Sequence, residues 1–154
     1  MSISPVALAL GSNLGDRRAH LMWAVDRLGA VLSGLRASFF IETEPVDVPG
    51  PQPPYLNAAV VGKTALDPRA LLATLLALER ERGRERVTPR APRTLDLDLI
   101  LYGDRVIDEP GLVVPHPGFR DRRFVLEPLS EVAGEWIDPG TGLSIQALYD
   151  RVRS

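Results

Sequence analysis

With 154 residues, 45% of them hydrophobic and 25% charged, the chain is long enough to enclose a sizeable core in one domain spanning residues 1–154. The absence of cysteine excludes disulfide staples and thiolate metal sites, and it suits a reducing cytoplasm. A formal net charge of -2, with Lys63 the only lysine, argues against nucleic-acid or anionic-membrane partners. The chain has no basic leader followed by an apolar run and no apolar stretch of about eighteen residues, so a soluble cytoplasmic protein is expected.

Val6 to Leu10 is a wholly apolar run stopped by Gly11, the pattern of a central strand buried on both faces. Gly11-Ser12-Asn13-Leu14-Gly15-Asp16 then turns the chain, with Asp16 placed to cap a helix. Leu21, Val25, Leu28 and Leu32 recur at spacings of four, three and four, which predicts one amphipathic helix ending near Gly34. A glycine-bearing turn at a helix start can cradle phosphate. This one lacks the lysine and spacing of a Walker loop and reads more simply as a tight strand-to-helix turn.

Ser38 to Ile41 reads as a second strand and Tyr55 to Val61 as a third. Between them, Thr43 to Pro54 holds five prolines and a glycine, which forbid regular structure while restricting disorder. Loops of this length serve as lids or binding walls, or are passive surface excursions. Tyr55 and Asn57 leave it on one strand face, offering a flat ring and a paired donor and acceptor. That suits a planar heterocycle; it also fits ordinary packing beside a satisfied amide.

Asp67-Pro68 is a helix start, with Leu71, Leu72, Leu75, Leu76 and Leu78 as the apolar face and Gly83 as the stop. A basic, proline-bearing stretch from Gly83 to Arg93 follows. It leads into Pro92-Arg93-Thr94-Leu95-Asp96-Leu97-Asp98-Leu99-Ile100-Leu101-Tyr102. From Leu95 to Leu99 apolar and acidic residues alternate strictly, the period of a half-buried strand, so Asp96 and Asp98 share a face. Two residues along a strand is about 6.5–7 Å. Their carboxylates can therefore converge on one metal ion or straddle a pair about 3.5–4 Å apart. Acidic residues also decorate the wet side of strands, so alternation alone leaves both readings open. Arginines beside metal-binding carboxylates are what a polyphosphate demands. The same arginines can pair with Glu79, Glu81 and Glu85 on a solvated helix end.

Tyr102-Gly103-Asp104 turns the chain, Arg105 to Ile107 reads as a short return strand, and Pro110-Gly111 breaks it. Leu112 to Val114 leads into Pro115-His116-Pro117, where flanking prolines hold His116 in extended backbone as a ligand contact or a structural histidine. Arg120, Arg122 and Arg123 precede a short apolar segment, Phe124 to Leu129, in which Phe124 is a second candidate for stacking. Ser144 to Val152 carries Ile145, Leu148 and Val152 at helical spacing and is expected to be a packing helix. Two strand-helix-strand units imply an α+β fold, a ferredoxin-like α/β sandwich with a mainly antiparallel sheet and helices packed on it.

Six ordered segments resemble the 6-hydroxymethyl-7,8-dihydropterin pyrophosphokinase family. They are Leu10-Gly11-Ser12-Asn13-Leu14-Gly15-Asp16, Thr43-Glu44-Pro45, Tyr55-Leu56-Asn57-Ala58, Gly83-Arg84-Glu85-Arg86, Pro92-Arg93-Thr94-Leu95-Asp96-Leu97-Asp98 and Pro115-His116-Pro117. The Pro92 to Asp98 run is the most specific of them. The resemblance implies pyrophosphoryl transfer from ATP to the pterin hydroxymethyl group with release of AMP, in folate biosynthesis. It implies Asp96 and Asp98 as ligands of two Mg2+ ions, and Arg84 and Arg93 as catalytic, phosphate-contacting residues. Leu99, His116 and Arg122 would line the ATP side. Tyr55 and Phe124 would sandwich the pterin, with Thr43, Pro45, Val46 and Asn57 around its edge. A monomer acting on ATP and the pterin is implied, with no nucleic-acid or membrane partner. Against the best-known bacterial form, the stretch after Gly83 is one residue shorter and Arg90 stands near a tryptophan position. Leu76, Gly111 and Val113 replace polar or charged residues on the nucleotide side.

Three rival readings are separable. A non-catalytic ferredoxin-like nucleotide- or metal-binding module needs the aspartate face but not Tyr55, Asn57 and Phe124. An RNA-binding domain expects a positive balance and exposed aromatics on the sheet. A kinase releasing ADP shares every residue pattern above and is distinguished by the family resemblance.

Overall fold

The computed structural model describes residues 3–44, 53–83 and 94–153. Strand β1, Ser4–Ser12, is central: it pairs antiparallel with β4, Tyr55–Thr64, on one side and with β5, Asp96–Tyr102, on the other. Strand β2, Ser33–Ala37, and the short β3, Ile41–Thr43, both pair antiparallel with β4. The resulting order β2-β4-β1-β5, with helix α1 at Arg17–Leu28 and helix α2 at Pro68–Glu81 as crossovers, is the ferredoxin-like arrangement.

Two hydrophobic clusters lie on opposite faces of this sheet. Val6, Leu8 and Leu10 of β1 point into one cluster with Leu21, Leu28, Leu71 and Leu75, so α1 and α2 cover that face. Ala7, Ala59 and Val61 point into the other with Phe119, Leu126 and Leu129, which belong to a 3₁₀ turn at Phe119–Asp121 and helix α3 at Arg123–Ala133. Helix α4, Ile145–Arg153, seals this second layer through Ile145 and Leu148. Strand β6, Ile107–Glu109, and strand β7, Leu112–Val114, form a separate hairpin beside β5.

Several boundaries differ from those the spacing suggests. Helix α1 ends at Leu28, yet Leu32 N–H still donates to Leu28 C=O at 2.8 Å. Leu32 is buried against Gly62, where an added Cβ would stand 2.9 Å from the Leu32 Cβ. Its helical spacing reflects that contact, not membership of the helix. The second strand lies at Ser33–Ala37 instead of Ser38 to Ile41, and Ile41 opens β3. Pro110-Gly111, with Gly111 at φ 78, is the turn of the β6-β7 hairpin, so the return strand pairs with β7. Phe124 to Leu129 is helical despite Pro128, whose missing N–H costs one internal bond while its ring is buried. Asp16 and Asp67 cap their helices as expected, accepting from Ala19 N–H at 3.1 Å and Ala70 N–H at 2.8 Å.

Candidate active site

Only part of the sheet face toward α3 is covered by helix. Beyond Ala7, Ala59 and Val61 the same face carries Asn57, Gly11 and Asp96, register partners in turn across β4, β1 and β5. One row further along β5 stands Asp98, opposite Ala9. One row further along β4 in the other direction stands Tyr55, opposite Thr43 of β3. Adjacent strands lie about 4.8 Å apart, so the backbones of Asn57 and Asp96 are about 10 Å apart. The two aspartates are half-buried and on one face. Asn57 is buried and its Nδ2 donates to Thr43 Oγ1 at 2.6 Å, a diagonal cross-strand contact that fixes the amide.

Gly11 keeps this floor low. A Cβ there would come within 3.3 Å of Asn57 Oδ1 and 3.4 Å of Tyr55 Cδ1, so the ring and the amide both lean over the glycine backbone. The alternation Ala7-Ala9-Gly11 on β1 is therefore small residues on the open face and Val6-Leu8-Leu10 on the closed one.

The third wall comes from the segment after β7. His116 N–H donates to Ile100 C=O at 3.0 Å, which ties this segment to β5. His116 Nδ1 accepts from Gly118 N–H at 3.2 Å, so the neutral ring carries its proton on Nε2. Burial lowers the His116 pKa, and the Arg122 guanidinium lowers it further against the opposing pull of Asp96. Arg122 also lies over the Phe124 ring, 5.8 Å from its centroid, and a Cβ at Gly118 would be 2.9 Å from the Arg122 Cζ. The 3₁₀ turn that presents these residues is anchored from behind by Arg120, whose Nε and Nη2 donate to the Asp138 carboxylate at 2.6 and 2.9 Å. Asp138 is fully buried and also accepts from Gly140 N–H and the Thr141 hydroxyl.

The sequence-derived residues Thr43, Tyr55, Asn57, Asp96 and Asp98 thus share one sheet face, with His116 on the segment tied to β5 and Arg122 stacked on Phe124 at the start of α3. Leu99 differs: its side chain is buried in the core with Leu8 and Leu75, on the opposite sheet face from the aspartates. Pro45, Val46, Arg84 and Arg93 lie outside the described residues. Glu79 was read from sequence only as a possible arginine partner. It is buried, and its Oε2 accepts from Leu97 N–H at 2.7 Å, between the two aspartates on the outer edge of β5. A signal existed: Glu79 stands four residues after Leu75 and seven after Leu72, on the apolar stripe, where an acid is buried only when hydrogen-bonded. Among the described residues no three His, Asp or Glu side chains cluster, so two carboxylates alone would offer oxygen ligands to a cation here.

Residues 7–134 match the family model for 7,8-dihydro-6-hydroxymethylpterin-pyrophosphokinase. The chain is 41% identical over 148 residues to the Synechocystis 2-amino-4-hydroxy-6-hydroxymethyldihydropteridine pyrophosphokinase, covering 94% of this chain and 74% of that protein. The Bacillus subtilis enzyme of the same name is 42% identical over 127 residues, 81% of this chain and 75% of the relative. A solved Plasmodium falciparum HPPK-DHPS chain has the same fold, with a TM-score of 0.77 at 16% identity over 97% of this chain and 44% of that one. Likewise the chain spans only 20% of the Pneumocystis carinii folic acid synthesis protein, at 36% identity. Over more than four fifths of its length, then, the chain belongs to the 7,8-dihydro-6-hydroxymethylpterin-pyrophosphokinase family.

Proposed function

We propose that this chain transfers pyrophosphate from ATP to the hydroxymethyl group of 6-hydroxymethyl-7,8-dihydropterin, releasing AMP, as a step of folate biosynthesis. The observation that carries this reading is the single sheet face on which the Asn57 backbone stands about 10 Å from that of Asp96, with Tyr55 and its partner Thr43 one row beyond the amide and Asp98 one row along from Asp96. A planar heterocycle held at the first group reaches the second with its exocyclic hydroxymethyl arm. In the reaction the hydroxyl oxygen bonds to the β-phosphorus, and the bond from that phosphorus to the oxygen bridging the α-phosphate breaks. AMP leaves, and the hydroxyl proton passes to a phosphate oxygen or water.

Such transfer needs alignment and charge neutralisation more than a covalent intermediate. Tyr55 and Phe124 hold the faces of the heterocycle and Asn57 reads its edge, with Thr43 locking the amide. His116 donates from Nε2–H to a phosphate oxygen, and Arg122 supplies a fixed positive charge beside it. Arg84 and Arg93 add further phosphate contacts. Asp96 and Asp98 would hold one or two Mg2+ ions, whose ordinary ligand set is one or two carboxylates with water and phosphate oxygens. Bound there, magnesium neutralises the phosphates and orients them for attack. At Leu99 the nucleotide would meet the β5 backbone, because the side chain is committed to the core. Residues 1–154 act as one domain and as a monomer, as the family resemblance implies. Among the described residues no helix is long and apolar enough to cross a membrane, and the lack of cysteine suits the reducing cytoplasm as the compartment.

The test is a product assay with purified protein, ATP, Mg2+ and the reduced hydroxymethylpterin. AMP and a diphosphorylated pterin in equal amounts are expected. ADP instead of AMP would replace pyrophosphate transfer by terminal-phosphate transfer, and nucleotide binding without turnover would leave a binding module.

A further inference from the structure

Arg17 opens helix α1 on the side of the sheet away from the site, and its side chain is 27% exposed. One terminal nitrogen donates to the Pro54 carbonyl at 2.8 Å and the other to Glu42 Oε2 at 3.0 Å. Glu42 sits on β3 next to Thr43, and Pro54 immediately precedes Tyr55 of β4. Four residues earlier, the buried Asn13 donates from Nδ2 to the Pro53 carbonyl at 3.3 Å. Donors from the turn between β1 and α1 therefore grip two successive carbonyls at the entry to β4 and one carboxylate on β3.

The Pro54 carbonyl and the Tyr55 N–H belong to the same rigid peptide plane. Holding that carbonyl sets the plane from which the Tyr55 ring projects, while proline fixes φ on the other side of it. Thr43 and Tyr55 are register partners, so the bond to Glu42 draws both strands to one point behind the sheet. A guanidinium suits this task because its fork donates in two directions at once, whereas an ammonium is a single point charge. The stability at stake is small, because the Glu42 side chain is 56% exposed and such ion pairs contribute little.

We propose that Arg17 is a positioning residue for the pterin pocket: from behind the sheet it ties β3 to β4 and sets Tyr55 and Thr43 for the heterocycle. This rests on the reading of Thr43, Tyr55 and Asn57 as that pocket.

The experiment is calorimetric titration of the full chain with hydroxymethylpterin at saturating non-hydrolysable ATP analogue, and separately with the analogue alone. Wild type, Arg17→Met, Arg17→Lys and Tyr55→Ala are compared. Arg17→Met is expected to weaken pterin binding about threefold to tenfold, the range of one or two lost hydrogen bonds, with nucleotide affinity unchanged. Arg17→Lys should fall between it and wild type. If Arg17→Met binds pterin as wild type does while Tyr55→Ala does not, the positioning role is wrong and the pocket stands. Unchanged pterin affinity in Tyr55→Ala would remove the pocket reading and the inference with it. Equal loss of both ligands in Arg17→Met would mean general disruption and also overturn the role. Should Arg17→Met not fold, Glu42→Ala cuts only the β3 limb and is judged by the same criteria.

Discussion

His116 is surrounded by groups that keep its ring neutral. Burial disfavours the imidazolium, Arg122 adds repulsion, and Asp96 offsets only part of both. A histidine whose folded pKa lies below its unfolded value, near 6.5, stabilises the fold fully above that pH. The contribution shrinks as pH falls from about 6.5 toward the folded value. An NMR titration of the metal-free protein should therefore place the His116 midpoint below 6.5, and Arg122→Met should move it up. A midpoint at or above 6.5 in the wild type would contradict the assigned environment. Residue-scale chemistry was unevenly legible in the sequence. Asp96, Asp98, Tyr55 and Asn57 announced their shared faces through a period of two, which any strand imposes. The same period of two sets Leu99 on the core face, where it lies, whereas the partner of Glu79 is not legible, because helix-to-strand packing decides that its carboxylate meets the Leu97 amide.

At the scale of elements, the 3₁₀ turn and α3 present His116, Arg122 and Phe124, and their placement depends on the ion pair between Arg120 and Asp138. Burial by itself would raise the Asp138 carboxyl, but hydrogen bonds from Arg120, Thr141 and Gly140 outweigh it and hold the pKa low. A depressed carboxyl contributes stability that is complete above its unfolded value, near 3.9, and is lost as pH falls through its folded value. Asp138→Asn should lower the wild-type Tm at neutral pH by the equivalent of roughly 3 kcal/mol, the lower end of the cost of breaking a buried pair, because Arg120 keeps some access to water. The Tm gap between the two proteins should narrow below about pH 4, and thermal melts from pH 7 to pH 2 check this. A constant gap would show that the pair is not what the pH dependence reports. Asp138 carried no sequence signal, since its partner lies eighteen residues away and its burial comes from the turn wrapped around it. The caps Asp16 and Asp67 were legible because their partners are three residues on. Helix α3 was hidden by Pro128, a local breaker overridden by burial against the sheet.

For the whole molecule, one face of a four-strand framework is closed by α1 and α2 and the other only half closed by α3 and α4. Beyond α3 that face carries the candidate site residues Asn57, Asp96 and Asp98. Small residues Ala9 and Gly11 at its centre leave room for flat and charged groups from the flanking strands β4 and β5. The ferredoxin-like class followed from the succession of apolar runs and helix signals, whereas the division of the second face between helix and candidate site did not, because it depends on where α3 docks. On the proposed reading the candidate site has two separate ends, aromatic and amide groups at one and carboxylates at the other. Asp96→Asn should therefore retain hydroxymethylpterin binding and native circular dichroism while losing transfer by at least about a hundredfold, the scale of removing a charge-organising group from such a site. The decisive measurement is single-turnover AMP formation by Asp96→Asn at saturating substrates and Mg2+, paired with its pterin affinity. Loss of AMP formation with intact pterin binding is expected; full AMP formation, or pterin binding lost along with it, would contradict the division of the sheet face into two ends.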